Sequence, residues 1–418
     1  MIQKKYKYPY IVNNEKAGLE VKDFNEMNND ELFLLKQARL DSYKTIEAWA
    51  ATGTNTQINY ATHGLFRYFG KFPSTIATHL IYEYTKENDW VMDPMSGSGT
   101  TAVECLLSRR NCHSFDVSPL SILLADVKTT KLSKDKLQAY LNKIEENYKP
   151  LDINSYDWQP RGIKNIDHWF LPETQDSIRG LLFEINKIDD LSVKNFFLIC
   201  LSASIRTVSR ATTQQGRLFL DVVTAKQDCL ETFIKKAKKG IECVASLPEK
   251  EISIDIGLHN SFDSFDKDIK NNLIIVHPPY FNSYKYSAIN SLELSWMKIN
   301  HADVRKQEIR EFFKVGKAEN ADKYVNDMTE CLNSISKTLN KNSVLALMIG
   351  DTIIKGEYVP VTRMVIDKFL ENNKNVFVEK IVLRIPKFTE ASWTASQRRK
   401  GDKVGINLYD FIVIFRGK

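Results

Sequence analysis

Residues Asp93 to Thr101 read Asp-Pro-Met-Ser-Gly-Ser-Gly-Thr-Thr, a spacing suited to holding a ligand by the main chain. Apolar Trp90, Val91 and Met92 lead in, and Ala102, Val103, Leu106 and Leu107 lead out, so the stretch predicts a strand, a tight turn and a helix. Gly97 and Gly99 let the backbone approach a ligand where the unpaired N–H groups of a helix start collect. Asp116 follows at the distance at which a second strand presents a carboxylate to a ribose. These are the parts of a nucleoside-cofactor site.

Charge narrows the cofactor. Gly97, Gly99 and Ala102 also fit the dinucleotide fingerprint G-x-G-x-x-G/A. A pyrophosphate needs a helix start free of negative charge, however, and Asp93 stands just before the turn. The same carboxylate attracts a cationic ligand, such as the ammonium and sulfonium of S-adenosylmethionine. A P-loop is excluded because no Lys follows the second glycine to reach a phosphate.

A second stretch sharpens this. Leu273, Ile274, Ile275 and Val276 predict a buried parallel strand that ends in His277-Pro278-Pro279-Tyr280. Two prolines stop the hydrogen-bond ladder and hold a rigid corner, with the ring of Tyr280 beyond it. Together the two stretches resemble the amino-methylating DNA methyltransferases, which carry Asp-Pro-x-x-Gly-Ser-Gly-Thr-Thr and (Ser/Asp/Asn)-Pro-Pro-(Tyr/Phe/Trp). The N4-cytosine group is the most similar, with adenine N6 the alternative target. Phe66 to Pro73 is similar to the segment that closes over the methionine end of the cofactor in that group. His168 to Thr174, Leu201 to Arg210, Tyr280 to Ser287 and Leu292-Glu293-Leu294 also resemble it, so the likeness runs from about residue 63 onward.

The resemblance implies a Rossmann-like seven-stranded α/β methyltransferase sheet, S-adenosylmethionine as cofactor and double-stranded DNA as substrate. It implies that Phe72, Pro73, Asp93, Pro94, Gly97, Gly99, Thr100, Thr101 and Asp116 surround the cofactor. The family's usual adenine-binding acid is replaced by the stretch His259-Asn260-Ser261-Phe262-Asp263, where Asn260 is expected to serve. In the Pro278-Pro279 corner, His277 and the carbonyl of Pro278 would accept hydrogens from the target amine while Tyr280 stacks on a flipped base. His277 replaces the family's Ser, Asp or Asn. A neutral imidazole has one acceptor nitrogen and an imidazolium none, so activity should fall as pH drops through a pKa near ~6.5. A protein that binds nucleic acid without methylating it is the alternative. The chemistry requires no metal.

These motifs need elements to hold them. Asn29 to Ala51 predicts a helix, capped by Asn29 or Asp30, with a loop over 52–62. The pattern then predicts residues 1–62 as a helical extension, 63–131 and 250–418 as the cofactor domain, and 132–249 as a helical insertion, which the resemblance makes the candidate target-recognition lobe. Strand and helix alternate from Trp90, β signals vanish from about 130 to 250, and Val376 to Ile385 with Leu408 to Phe415 predict a closing antiparallel pair. Arg206 and Arg210, one turn apart, suit phosphate contacts or a solvated cationic face, as do Arg398, Arg399 and Lys400 in a loop.

Composition sets the outer bounds. The chain has 418 residues, 43% of them hydrophobic, and a net charge of +6, which is compatible with a polyanionic partner. Its six cysteines show no C-x-x-C pair and predict buried thiols in a reducing compartment. No signal core or membrane-length run stands out, so the expectation is a cytoplasmic protein with no membrane partner. A cognate restriction endonuclease would be a separate chain, and oligomeric state is not legible.

Overall fold

The computed structural model describes residues 4–6, 18–214, 217–223, 227–266, 268–281, 286–309, 320–354, 357–386 and 410–417. Its strands, in chain order, are β1 (Lys4–Tyr6), β2 (Gly18–Asp23), β3 (Ile46–Thr52), β4 (Trp90–Asp93), β5 (Asn111–Asp116), β6 (Ala211–Gln214) and β7 (Arg217–Leu220). They continue with β8 (Ile254–Leu258), β9 (Asn271–Val276), β10 (Leu339–Gly350), β11 (Thr352–Ile354), β12 (Glu357–Val359), β13 (Val376–Arg384) and β14 (Asp410–Gly417). Ten of them form one sheet in the order β1-β2-β3-β13-β14-β10-β9-β4-β5-β8, and the other four form two hairpins.

Strands β8, β5, β4, β9 and β10 run parallel, and β14 is inserted antiparallel between β10 and β13. This is the expected seven-stranded doubly wound sheet. From β4 the chain winds outward to β5 and β8, then returns to β9 and β10 on the other side. The reversal leaves a crevice beyond the C-terminal ends of β4 and β9, where such sheets bind ligands. Asp93 ends β4, Asp116 ends β5 and His277 follows β9, so topology alone brings the two motifs to one place.

Alternation along the central strands supplies a core on each face. Ile274, Val276, Leu345 and Leu347 pack with the Asn320–Ile335 and Val361–Asn372 helices, while Leu273, Ile275, Val344 and Ala346 pack with the Ser74–Tyr84 and Thr100–Ser108 helices. Strands buried on both sides lose the polar-apolar alternation of a half-exposed sheet, which is why these runs read as continuously apolar. Each fully buried Leu or Ile contributes about 1.5–3 kcal/mol.

A third core fills the helical region. The Lys134–Asn147, Pro172–Asn186, Leu191–Val208 and Cys229–Ala245 helices meet around Ile178, Phe196, Phe197 and Phe233. The Leu191–Val208 helix is long and apolar enough to cross a membrane, against the expectation of no such run, yet Phe196, Phe197, Cys200 and Leu201 are buried in this core. The β6–β7 hairpin also departs from the all-helical reading of this stretch.

The N-terminal region differs from its reading. The helix covers only Asn29–Gln37, and its cap is Asn28, whose side chain accepts from Glu31 N–H at 2.9 Å. Arg39 adopts a left-handed φ of 58° just beyond, and the chain leaves as β3. Strand β3 lies parallel to β13 and antiparallel to β2, so the extension adds three strands to the sheet. Residues expected as a loop over 52–62 include the short Asn55–Ile58 helix.

Candidate active site

The glycine turn is held by its neighbours before any ligand arrives. Gly97 N–H donates to Asp116 Oδ2 and Ser118 N–H to Asp116 Oδ1, both at 2.8 Å, while Ser96 N–H donates to the Phe115 carbonyl at 2.8 Å. The carboxylate at the end of β5 thus stitches the turn after β4. Gly97 and Gly99 have left-handed φ values of 50° and 73°. Their reasons differ: a Cβ on Gly97 would approach the Tyr68 ring at 3.3 Å, whereas one on Gly99 would lie 2.9 Å from Ala125 Cα. Gly99 therefore permits helix packing, and the sequence reading that placed a ligand against it is corrected.

Asp93 needs a similar revision. It is 1% exposed, and its oxygens accept from Thr101 Oγ1 at 2.6 Å and Met95 N–H at 3.1 Å. Burial pushes its carboxyl up to about 7, opposed by those two bonds and reinforced by the nearby Asp116. Asp93 and Thr101 lie beneath the turn and do not line the cleft. Buried Lys128 supports the turn from another side, donating to the Ser98 carbonyl at 2.7 Å.

Above the turn lies an open cleft, lined by Pro94, Gly97, Ser98, Thr100, Asp116 and Asn260 at one end and by Phe72, His277 and Pro279 at the other. Tyr68, Lys71, Tyr286 and Glu308 also line it. The first two sit in a segment already singled out, and Tyr286 in the run after the proline corner. Glu308 carried no sequence signal. Tyr68 and Tyr286 stack at 6.3 Å with 18° between planes. Lys71 is pushed down to about 8 by burial; its Nζ donates to the Asn59 side chain and to the His63 carbonyl at 3.2 Å.

This lining fits S-adenosylmethionine. Asp116 is an acceptor suited to ribose hydroxyls, Gly97 is a cradle that a Cβ would fill, and aromatic rings flank the space. Asn260 lines the same end, although its Oδ1 already accepts Phe262 N–H at 3.1 Å. Pro73 is buried as the cap of the Ser74–Tyr84 helix and stands behind Phe72.

The proline corner is internally bonded. His277 Nε2 lies 3.0 Å from Tyr280 Oη, and Tyr324 Oη donates to the Pro279 carbonyl at 2.7 Å. The Phe72 ring meets the imidazole edge-on at 5.1 Å. Tyr280 is turned away from the cleft lining, and its ring presses on Gly350, where a Cβ would come within 2.9 Å of it. Burial, and after it the Arg384 guanidinium, push His277 down to about 3. The imidazole is neutral at physiological pH, and the expected acid switch near 6.5 is corrected. Arg384 is itself paired with buried Asp410.

The basic candidates separate. Arg206 donates to both oxygens of Glu293 at 2.9 Å, to Thr213 Oγ1 at 2.5 Å and to the Ile289 carbonyl. It is committed to an internal ion pair, which corrects its reading as a phosphate contact. Arg210 is half-buried, with one guanidinium nitrogen donating to the Asp167 carbonyl at 3.2 Å. Arg398, Arg399 and Lys400 lie outside the described residues.

Comparison with known proteins finds methyltransferases. A family model described as DNA methylase, of the N6 and N4 type, matches residues 1–126. The type II methyltransferase M.MvaI of Kocuria varians is 23% identical over 309 residues, covering 66% of this chain and 67% of the relative. M.AvaI of Nostoc sp. is 22% identical over 411 residues, covering 84% and 80% respectively. Among solved structures, the rRNA methyltransferase aviRa from Streptomyces viridochromogenes aligns with 84% of this chain at 13% identity and a TM-score of 0.33.

Proposed function

We propose that this chain is an S-adenosylmethionine-dependent DNA amino-methyltransferase, a reading its likeness to that family supports, and that it methylates the exocyclic amine of a base flipped out of duplex DNA, cytosine N4 rather than adenine N6. The observation that carries this reading is that Asp116 and Gly97 at one end, and His277 and Pro279 at the other, open onto one cleft. The type II relatives support a role in restriction and modification; in this reading a cognate endonuclease is a separate chain and the protein acts in the cytoplasm. Residues 132–249 would form the lobe that reads the target sequence.

The cofactor supplies an electrophilic methyl carbon on a sulfonium. The chain's task is to make a poor nucleophile reactive, since the amine lone pair is conjugated into the base. Acceptors aimed at the amine hydrogens favour a tetrahedral nitrogen whose lone pair can face the methyl group. The Pro278 carbonyl and His277 Nδ1 are the acceptors in this reading. Nδ1 can accept only in the tautomer whose Nε2–H donates to Tyr280 Oη. In the other tautomer Tyr280 donates, Nδ1 carries the proton, and the corner loses an acceptor. That arrangement favours the second reading, a protein that binds nucleic acid without methylating it.

Tritium transfer from labelled S-adenosylmethionine to duplex DNA, followed by nucleoside chromatography, tests both. The expected product is N4-methylcytosine. N6-methyladenine would overturn the target assignment, and no transfer to any duplex would overturn the catalytic reading.

A further inference from the structure

The densest run of exposed apolar side chains among the described residues follows the Leu191–Val208 helix. Phe219 is 45% exposed, Leu220 39%, Val222 62% and Val223 92%. A patch of this kind marks a surface that meets another molecule. Its shape is fixed locally. Leu218 packs on the helical core, so the pleat turns Phe219 to the opposite face, where Thr212 is its cross-strand partner. Asp221 N–H donates to the Arg210 carbonyl at 2.7 Å, and Asp221 Oδ1 accepts from Val223 N–H at 3.0 Å. This turn closes the hairpin and leaves both valines projecting.

The hairpin is anchored beside the cleft. Strand β7 packs on the Tyr286–Ile289 helix, and Tyr286 and Ser287 of that helix line the cleft. Arg206 fixes the arrangement, because one guanidinium joins Thr213 in β6 to the Ile289 carbonyl and to Glu293. Strand β7, which carries Phe219, is therefore held against a helix that lines the cleft.

We propose that Phe219, Val222 and Val223 form a wedge that enters duplex DNA beside the target base and fills the space the base leaves. The proposal rests on the reading of the chain as an enzyme acting on a flipped base. A base leaving the stack forfeits its stacking, and apolar side chains inserted between base steps compensate by replacing that contact. The patch has this chemistry: it is branched or aromatic and uncharged. Half-buried Arg210 at the foot of the hairpin places a cation near flanking phosphates. Asp221, the acid within the run, is occupied in the turn.

The test uses the full chain with Phe219→Ser and with the double variant Val222→Ser, Val223→Ser. Two duplexes carry a site that the wild type methylates, one fully paired and one with the target base opposite an abasic position. Transfer to the paired duplex should fall at least ten-fold in the variants, while transfer to the abasic duplex and calorimetric binding of S-adenosylmethionine stay within two-fold of wild type. Equal rates on the paired duplex, or equal losses on both duplexes, would overturn the wedge. So would light scattering showing that the substitutions dissociate a wild-type oligomer, since the patch would then cover a second copy. A duplex pool containing 2-aminopurine reads the wedge without methyl transfer: wild type should brighten it and the variants should not. Brightening without transfer overturns the catalytic reading and keeps the wedge; transfer unaffected by the substitutions does the reverse, and a wild type that does neither overturns both.

Discussion

His277 offers the sharpest quantitative test. Burial and the Arg384 cation hold its pKa at about 3, so the imidazole gains almost no proton between pH 8.5 and 5.5. At pH 5.5 about one molecule in 300 is protonated, against about ten in eleven for an imidazole at its ordinary value near 6.5. An acceptor role for an ordinary imidazole would cost about eleven-fold in rate across that range; this one should cost nothing measurable. Single-turnover tritium transfer to duplex DNA from pH 5.5 to 8.5 is the assay, on wild type, His277→Asn and His277→Ala. Asn keeps an acceptor and should stay active, whereas Ala should lose about ten-fold, the equivalent of one hydrogen bond. Folding carries the same information with a definite sign. Below pH ~6.5 the unfolded chain takes up a proton that the folded one refuses, so stability falls as pH drops from 6.5 toward 3, by up to about 1.4 kcal/mol per pH unit. His277→Asn should flatten that slope. An acid limb near 6.5 in wild type that disappears in His277→Asn would refute the reasoning, because His277 would then titrate like a free imidazole.

Asp93, raised to about 7, contributes stability at low pH that is lost as pH rises through 7. Asp93→Asn should therefore raise the melting temperature at pH 8, and weaken S-adenosylmethionine binding if the carboxylate attracts the sulfonium; a lower melting temperature would refute the first claim. The two glycines should fail differently. Gly99→Ala should lower stability by about 2 kcal/mol or more through left-handed strain and contact with Ala125, while Gly97→Ala carries left-handed strain of about 1–2 kcal/mol without that backbone contact and should also reduce cofactor affinity; calorimetry beside thermal melting separates them. Arg206→Met should destabilise by about 3–5 kcal/mol by leaving buried Glu293 unpaired. Denaturant unfolding would show this, and a variant of unchanged stability but weaker DNA binding would restore the phosphate-contact reading.

The central sheet was legible because its signals are local. A four-residue apolar run before a glycine turn, and another before two prolines, leave few alternatives to buried parallel strands. The closing pair after residue 376 was legible for the same reason. Strand β3 was not, because Ile46, Ala48, Trp49 and Ala50 are all buried and show no strand alternation, while their apolar spacing continues the helix before them. What decides it is pairing with β2 and β13, across 24 to 34 and 335 residues of sequence respectively. Arg206 was misread for a related reason. Its charge is visible in sequence, but Glu293, 87 residues away, becomes its partner only when the helices pack. Tyr280 was placed on the right corner, yet its ring direction depends on Gly350, a glycine with no local turn signal.

The expected boundary after residue 62 meets a physical obstacle. Buried Glu104, in the helix that follows the glycine turn, accepts from Tyr60 Oη at 2.5 Å and Thr78 Oγ1 at 2.6 Å, and lies 2.7 Å from His63 Nε2. Thr62 Oγ1 donates to the Lys128 carbonyl at 2.7 Å, and Lys128 Nζ in turn supports Ser98 in the turn itself. The bonds of Tyr60 and Thr62 cross the expected boundary into one network with the others, and each involves a buried group whose loss leaves an unpaired partner. Residues 60–63 are therefore part of the scaffold of the glycine turn. The two arms of the N-terminal region then have one mechanical effect: β2 and β3 extend the sheet beyond β13, and residues 60–78 bind the helix behind the cofactor cleft. The position of Gly97 against Tyr68 is set from both sides, by Asp116 on β5 and by this buried network beneath it.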